Sequence, residues 1–334
     1  MNQGAILVTG GAGYIGSHVV RLLSSEGYQV VVLDNLVHGH RQAILDPCVE
    51  LIVGEVGDEE FVRELFGKYQ FQGVIHFAAF TSVGESVKDP LRYYQNNTAE
   101  PLTLLRVMQD FSCKAFVFSS TAATYGEPEQ LPITESHPQK PVNPYGRSKL
   151  MVEWILKDCD HAWGLKSAAL RYFNASGCSS DGVIGEDHCP ETHLIPLVLM
   201  AIQGTVPELT VFGDDYQTPD GTCIRDYIHV EDLASAHLAA LQKLLGGGSS
   251  LQCNLGTGIG ISVKEIIEVA EEVTGKKVPV VYGPRRDGDP EQLLADPSLA
   301  RELLGWEASH QEVRPMIESA WKWLSGPRQG RFPR

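Results

Sequence analysis

At 334 residues, with 43% hydrophobic and 21% charged side chains, the chain has the make-up of a compact protein of one large domain or two. Its formal net charge of -15 argues against a nucleic-acid or anionic-membrane partner, since either needs a basic footprint. Seven cysteines, scattered without a C-x-x-C pair, suggest neither a disulfide framework nor a cysteine zinc site and fit a reducing cytoplasm. Met1-Asn2-Gln3-Gly4 reads as no secretory leader. Leu194–Ile202, the longest apolar run, is broken by Pro196 and falls short of the ~20 residues a membrane span needs.

In chain order, Ala5–Thr9, Val30–Leu33, Val74–Phe77, Ala115–Phe118 and Ser167–Leu170 are apolar and β-branched and predict strands. Amphipathic helices are predicted between them at Tyr14–Glu26, Glu59–Lys68, Leu91–Asp110 (restarting at Pro101) and Tyr145–Asp160. Strands apolar on both faces and alternating with helices predict a Rossmann-like, doubly wound parallel α/β sheet. After about Ala175 the rhythm gives way to a Gly-, Asp-, Pro- and His-rich stretch, which predicts a smaller C-terminal α/β substrate-binding region. A strand at Tyr227–Val230, a helix at Glu231–Leu244 and a strand at Leu251–Leu255 read as a βαβ unit returning to the first domain. The expected division is residues 1–174, rejoined by 226–256, as cofactor domain and 175–334 as substrate region.

Thr9-Gly10-Gly11-Ala12-Gly13-Tyr14-Ile15-Gly16 follows a strand and opens a helix. Glycines there permit a tight turn and let backbone N–H groups approach a pyrophosphate at the positive end of the helix dipole. Asp34, ending the second strand, stands where a carboxylate accepts from the adenosine ribose hydroxyls and repels the extra phosphate of NADP, so NAD is the expected cofactor.

Tyr145 and Lys149 are four residues apart on one face of a predicted helix, and Ser119-Ser120-Thr121 ends a strand at the sheet edge where such folds bind ligands. Shifting a phenol from about pKa 10 to about 7 needs roughly 4 kcal/mol. One cation ~6 Å away at an effective dielectric near 20 contributes roughly 2.8 kcal/mol, so Lys149 tunes Tyr145 and the oxidised nicotinamide supplies the balance. Tyr145 is the expected general base, with Thr121 hydrogen-bonding the reacting hydroxyl.

With T-G-G-A-G-Y-I-G-S, S-S-T and Y-G-R-S-K in this order, the chain resembles the extended short-chain dehydrogenase/reductases, and within them the UDP-galactose 4-epimerase family. Val83-Gly84-Glu85-Ser86, Leu170-Arg171-Tyr172-Phe173-Asn174, Asp220 to Val230 and Pro284 to Asp289 carry the likeness onward. The resemblance implies isomerisation of a UDP-hexose at C4 through a 4-keto sugar on a homodimer. It implies an NAD site formed by Gly10, Gly13, Tyr14, Ile15, Gly16, Asp34, Asn35, Glu55, Val56, Phe77, Ala78, Ala79, Asn97, Ser119, Tyr145, Lys149 and Tyr172. It implies a UDP-sugar site formed by Thr121, Tyr145, Phe173, Asn174, His193, Leu194, Arg225, Tyr227, Arg286, Asp289 and Leu293. Arginines suit phosphate and an aspartate suits ribose hydroxyls. Leu293 falls at a gate beside the hexose, where leucine is smaller than tyrosine and predicts weak action on N-acetylated sugars.

The chain departs from the family pattern at Thr121 for serine, Thr81 for a cofactor-holding lysine, Glu55 for an aspartate and His193 for an asparagine. Ala122 and Ala123 stand where a 4,6-dehydratase carries its acid and base, which argues against dehydration. A UDP-arabinose/UDP-xylose 4-epimerase and a non-enzymatic NAD sensor are the competing readings. His188, Cys189 and His193, spaced H-C-P-x-x-H, match no usual zinc pattern, and no metal is expected.

Overall fold

The computed structural model describes residues 4–286 and 290–333. Its first half runs β1 (Ala5–Thr9), α1 (Tyr14–Ser25), β2 (Val30–Asp34), β3 (Glu50–Val53), α2 (Glu59–Lys68), β4 (Phe71–His76), α3 (Val83–Lys88), α4 (Pro90–Tyr94), α5 (Glu100–Asp110), β5 (Ala115–Ser119), α6 (Pro144–Trp163) and β6 (Lys166–Tyr172). The second half runs β7 (Asn174–Ser176), α7 (Leu194–Gln203), β8 (Leu209–Phe212), β9 (Ile224–His229), α8 (Val230–Leu245), β10 (Leu251–Leu255), β11 (Gly260–Ser262), α9 (Val263–Thr274), β12 (Val280–Gly283), β13 (Gln292–Leu293), α10 (Ser298–Leu304) and α11 (Val313–Ser325).

Seven parallel strands form the main sheet in the order β10-β6-β5-β4-β1-β2-β3, the α/β architecture the sequence predicts. Alternation along β1 shows how both faces are closed. Ile6 and Val8 join one core with Val19 and Leu23 of α1 and Leu233 and Leu241 of α8, while Ala5 and Leu7 join another with Val62 and Leu65 of α2 and Leu104 and Met108 of α5. A third core lies in the C-terminal region, where Ile195 and Leu199 of α7, Ile266 of α9 and Ile317 and Trp323 of α11 pack together.

Helix ends follow local chemistry. Asp58 caps α2 by accepting from Phe61 N–H, and Ser262 and Glu265 form a reciprocal capping box on α9. Asn143 caps α6, Pro144 fits its first turn, and Gly164 ends it at φ +77°.

Three sequence readings change. Glu50–Val53 is a strand that escaped notice because it forms the sheet edge and both of its end residues are exposed. The predicted Leu91–Asp110 helix restarts as expected, α5 beginning at Glu100 with Pro101 in its first turn, but a wide turn at Gln95–Ala99 that the sequence did not indicate precedes it. The Tyr227–Val230 strand does not return to the main sheet: β9 pairs instead with β7, β11 and β13, and only α8 and β10 rejoin the first half. Among the described residues no helix is long and apolar enough to cross a membrane.

Candidate active site

The glycine loop leaves β1 and turns into α1 with almost no spare volume beneath it. A Cβ on Gly10, whose φ is +70°, would stand 2.5 Å from Ala78 N, and one on Gly16 would stand 2.2 Å from Gly10 O. Around Gly13 the only neighbour of such an atom is Gly10 O at 3.4 Å, so the loop is open there. Gly13 is the N-cap of α1, no side chain caps it, and no acidic residue occupies its first turn. The N–H groups opening this helix are thereby left for an external anion. Asp34 is tied to the same loop: Oδ2 accepts from Ala12 N at 2.9 Å and Oδ1 from Leu36 N at 2.8 Å. Burial raises its carboxyl and those two N–H groups work against the rise. The open cradle, uncapped helix and buried carboxylate fit the pyrophosphate and ribose of a dinucleotide.

Around this loop the other expected cofactor residues take defined places. Phe77 N–H and Ala78 N–H donate to Thr9 O, at 2.8 and 3.2 Å, and Ala79 follows them. Asn35 Nδ2 donates to the exposed Glu55 at 3.1 Å, and Val56 is buried behind it. Asn97 lies in the wide turn between α4 and α5, and its amide closes on Phe80 by accepting from the backbone N–H and donating to the carbonyl, both at 2.9 Å. Its Nδ2 also donates to Ser148 Oγ at 3.2 Å, linking that turn to α6. Thr81 is exposed.

β5 and α6 bring the reacting groups together. Thr121 ends the β5 extension and its Oγ1 accepts from Ala123 N at 3.1 Å, which fixes the threonine at the start of a short turn. Tyr145 stands in the first turn of α6, half-buried, with its phenol close to Thr121; burial raises its phenol and the Thr121 contact opposes that. One turn on, Lys149 is buried over the Phe118 ring, and its Nζ donates to Ser119 O at 2.9 Å. Ser119 Oγ meets the hydroxyl of Tyr172 at the end of β6. Burial holds Lys149 down to about 7. This alters the electrostatics read from the sequence, because a lysine near neutrality supplies less of the positive field at Tyr145 than a full cation does.

Beneath Thr121 lies a support that sequence reasoning missed. Arg171 Nη2 and Nε contact the two Glu153 oxygens at 2.6 and 3.0 Å, Ser120 Oγ donates to the same carboxylate at 2.5 Å, and Arg171 Nη1 donates to Tyr125 Oη at 2.8 Å. Glu153 lies one turn beyond Lys149, a spacing that was legible, but its partner on β6 was not.

The small sheet gathers four residues of the expected substrate set. Asn174 pairs with Tyr227 across β7 and β9, and Leu293 pairs with Arg225 across β13 and β9. Phe173 joins β6 to β7, and Leu194 begins α7. Arg286 is exposed and stacks over Phe212 at 4.0 Å. Asp289 lies outside the described residues. His193, at the N-cap of α7, has its Nδ1 2.7 Å from Glu186 Oε1 and 2.9 Å from Glu191 Oε1. Burial favours the neutral imidazole, but the two carboxylates overcome it and hold His193 well above its ordinary range.

The model of the NAD dependent epimerase/dehydratase family matches residues 6–256, which span the glycine loop, Thr121, Tyr145, Lys149 and β10. The chain belongs to that family. This epimerase/dehydratase family member is 50% identical to a UDP-glucose 4-epimerase of Lacticaseibacillus casei over 97% of this chain and 98% of the relative. Its fold matches the UDP-glucose 4-epimerase of Brucella ovis solved with NAD at a TM-score of 0.93 and 48% identity, covering 96% of this chain and 98% of that one. A UDP-glucose 4-epimerase from Stenotrophomonas maltophila, solved with NAD and formylated UDP-arabinopyranose, matches at a TM-score of 0.93 and 42% identity over 97% and 98% of the two chains.

Proposed function

We propose that this chain interconverts UDP-galactose and UDP-glucose by inverting C4 of the hexose with bound NAD. The observation that carries the reading is the convergence of Thr121, Tyr145 and Lys149 at the edge of the sheet that bears the glycine loop. Full-length similarity to UDP-glucose 4-epimerases supports the choice among related chemistries.

Gly10, Gly13, Tyr14, Ile15, Gly16 and Asp34 would hold the dinucleotide, with Lys149, Asn97 and Ser119 along its far side. When bound, NAD supplies the acceptor for the C4 hydride and the positive charge that Lys149 alone does not provide. Tyr145 takes the C4 hydroxyl proton while Thr121 orients that hydroxyl, and Tyr145 returns the proton once the 4-keto sugar has presented its other face. Residues 1–174, rejoined by α8 and β10 (230–255), form the cofactor part, and the remainder of 175–334 the UDP-sugar part. Asn174, Arg225, Tyr227 and Leu293 on the small sheet, with Leu194 and Phe173, bind the nucleotide sugar. Leucine at 293 admits the acetamido group of UDP-N-acetylhexosamines weakly. A homodimer forms through the face on which Val87, Leu91 and Trp154 are exposed.

Purified protein given UDP-galactose and NAD should form UDP-glucose, and deuterium placed at C4 should remain at C4 of the product. Tyr145→Phe should retain UDP-sugar binding while losing about 10²- to 10⁴-fold in turnover. Near-wild-type turnover in a folded Tyr145→Phe protein, or loss of the label to solvent in each cycle, would overturn the assignment.

A further inference from the structure

Just before α7 the chain carries Glu186, His188, Glu191 and His193, spaced E-x-H-x-x-E-x-H, and the fold brings all four together, with Glu186 buried and His193 at the exposed rim. One ligand atom from each lies within 4.8 Å of all the others. Glu186 Oε1 is 3.0 Å from His188 Nδ1 and 2.7 Å from His193 Nδ1. A Glu191 oxygen is 2.9 Å from His193 Nδ1, and its second oxygen is 3.9 Å from His188 Nδ1. Tetrahedral zinc with bonds of about 2.0–2.1 Å separates neighbouring ligand atoms by about 3.3 Å, a spacing those four distances bracket.

Two observations point to a ligand and not to a self-contained ion pair. Glu186 Oε1 and His188 Nδ1 are both buried without a well-aligned hydrogen-bond partner although they lie 3.0 Å apart, so an ion held between them would satisfy both. The side chains of Glu186 and Glu191 are only 4% and 8% exposed, and among the described residues no lysine or arginine forms a salt bridge with either. Among those residues the two carboxylates are balanced only by the imidazoles of His188 and His193, and one dication taking the place of the imidazole protons balances the same two negative charges. Thr192 N–H and His193 N–H donate to Glu191 Oε1 at 2.7 and 2.8 Å, which aims that carboxylate at the cluster.

We infer that Glu186, His188, Glu191 and His193 form a binding site for one divalent transition metal of the zinc type. Two imidazoles and two carboxylates complete a tetrahedral shell with no open position, the arrangement of a structural ion. The site lies beside the glycine loop, since the His188 ring meets the Tyr14 ring edge-on at 6.2 Å. Bound metal would pin the 186–193 segment and the start of α7 against α1. The H-C-P-x-x-H reading missed it because Glu186 lies outside that pattern and Glu191 fills one of its unspecified positions.

The test is zinc titration of the chelator-treated, folded, full-length protein, with calorimetry for stoichiometry and a thermal melt for stabilisation. One zinc per chain and a higher melting temperature are expected. His188→Ala and Glu186→Gln should each weaken zinc binding by about 100-fold or more. Cobalt provides a readout independent of variant folding, as a tetrahedral shell gives the intense visible absorption that octahedral surface binding lacks. Absence of stoichiometric zinc binding, zinc affinity unchanged in both folded variants, or only the weak octahedral cobalt spectrum would overturn the proposal.

Discussion

Cutting the ion pair beneath Thr121 should show how far the catalytic strand end depends on a buried charge. Arg171 and Glu153 have side chains 5% and 4% exposed, so removing one strands the other with almost no water to solvate it. Breaking such a pair costs about 3–5 kcal/mol. For 334 residues, an unfolding entropy of about 2.1 cal/mol/K per residue amounts to roughly 0.7 kcal/mol/K, so Arg171→Met should lower the melting temperature by about 4–7 °C. Glu153→Leu should do the same. The double variant has no orphaned charge. Its cost falls on the lost partners of Ser120, Tyr125 and Gln139, about 1.5–4.5 kcal/mol in all. A double-mutant cycle by calorimetry or denaturant titration reads the difference. Single costs below about 1 kcal/mol, or a double cost equal to their sum, would refute the reasoning.

Leu293→Tyr should suppress turnover of UDP-N-acetylgalactosamine while sparing UDP-galactose, and equal losses in kcat/KM for both substrates would remove Leu293 from the sugar gate. Acid should destabilise the fold through His76 and His237, which burial holds down to about 3 and about 4. The unfolded chain binds protons at these histidines below about pH 6.5 while the folded chain does not, so stability is complete above that pH and falls towards the folded values. At pH 5 each should contribute a loss of about 2 kcal/mol relative to pH 8. Denaturation midpoints that stay flat between pH 8 and pH 5 would contradict this.

The chemistry of the first half was legible because it is local. The glycine loop, Asp34, Thr121 and the Tyr145/Lys149 spacing are each set by a few consecutive residues attached to one strand or helix. What escaped the sequence depends on pairings between distant segments. Arg171 reads as one charge at the end of an apolar strand until α6 brings Glu153 against it. β9 reads as a strand like the others, and nothing in Ile224–His229 announces that its neighbours are β7, β11 and β13 in place of the main sheet. Lys149 reads as a cation until its burial over Phe118 is known.

The packing of α8 beside α1 also governs what the ribosome exposes. One face of β4, β5 and β6, formed by Ile75, Val117 and Leu170 among others, is covered by a helix that ends only at Leu245. Between completion of β6 at Tyr172 and emergence of α8, roughly 70 further residues must be made, which takes about 4–14 s at 5–20 residues per second. During that interval the nascent chain carries a nearly finished parallel sheet with an uncovered aliphatic face. The bond from Tyr14 Oη to Gly177 O, spanning 163 positions, cannot close before the second half begins to dock. Closure of that sheet face is therefore a late event in biosynthesis, and until it occurs the face is a defined apolar surface for a holdase to shield.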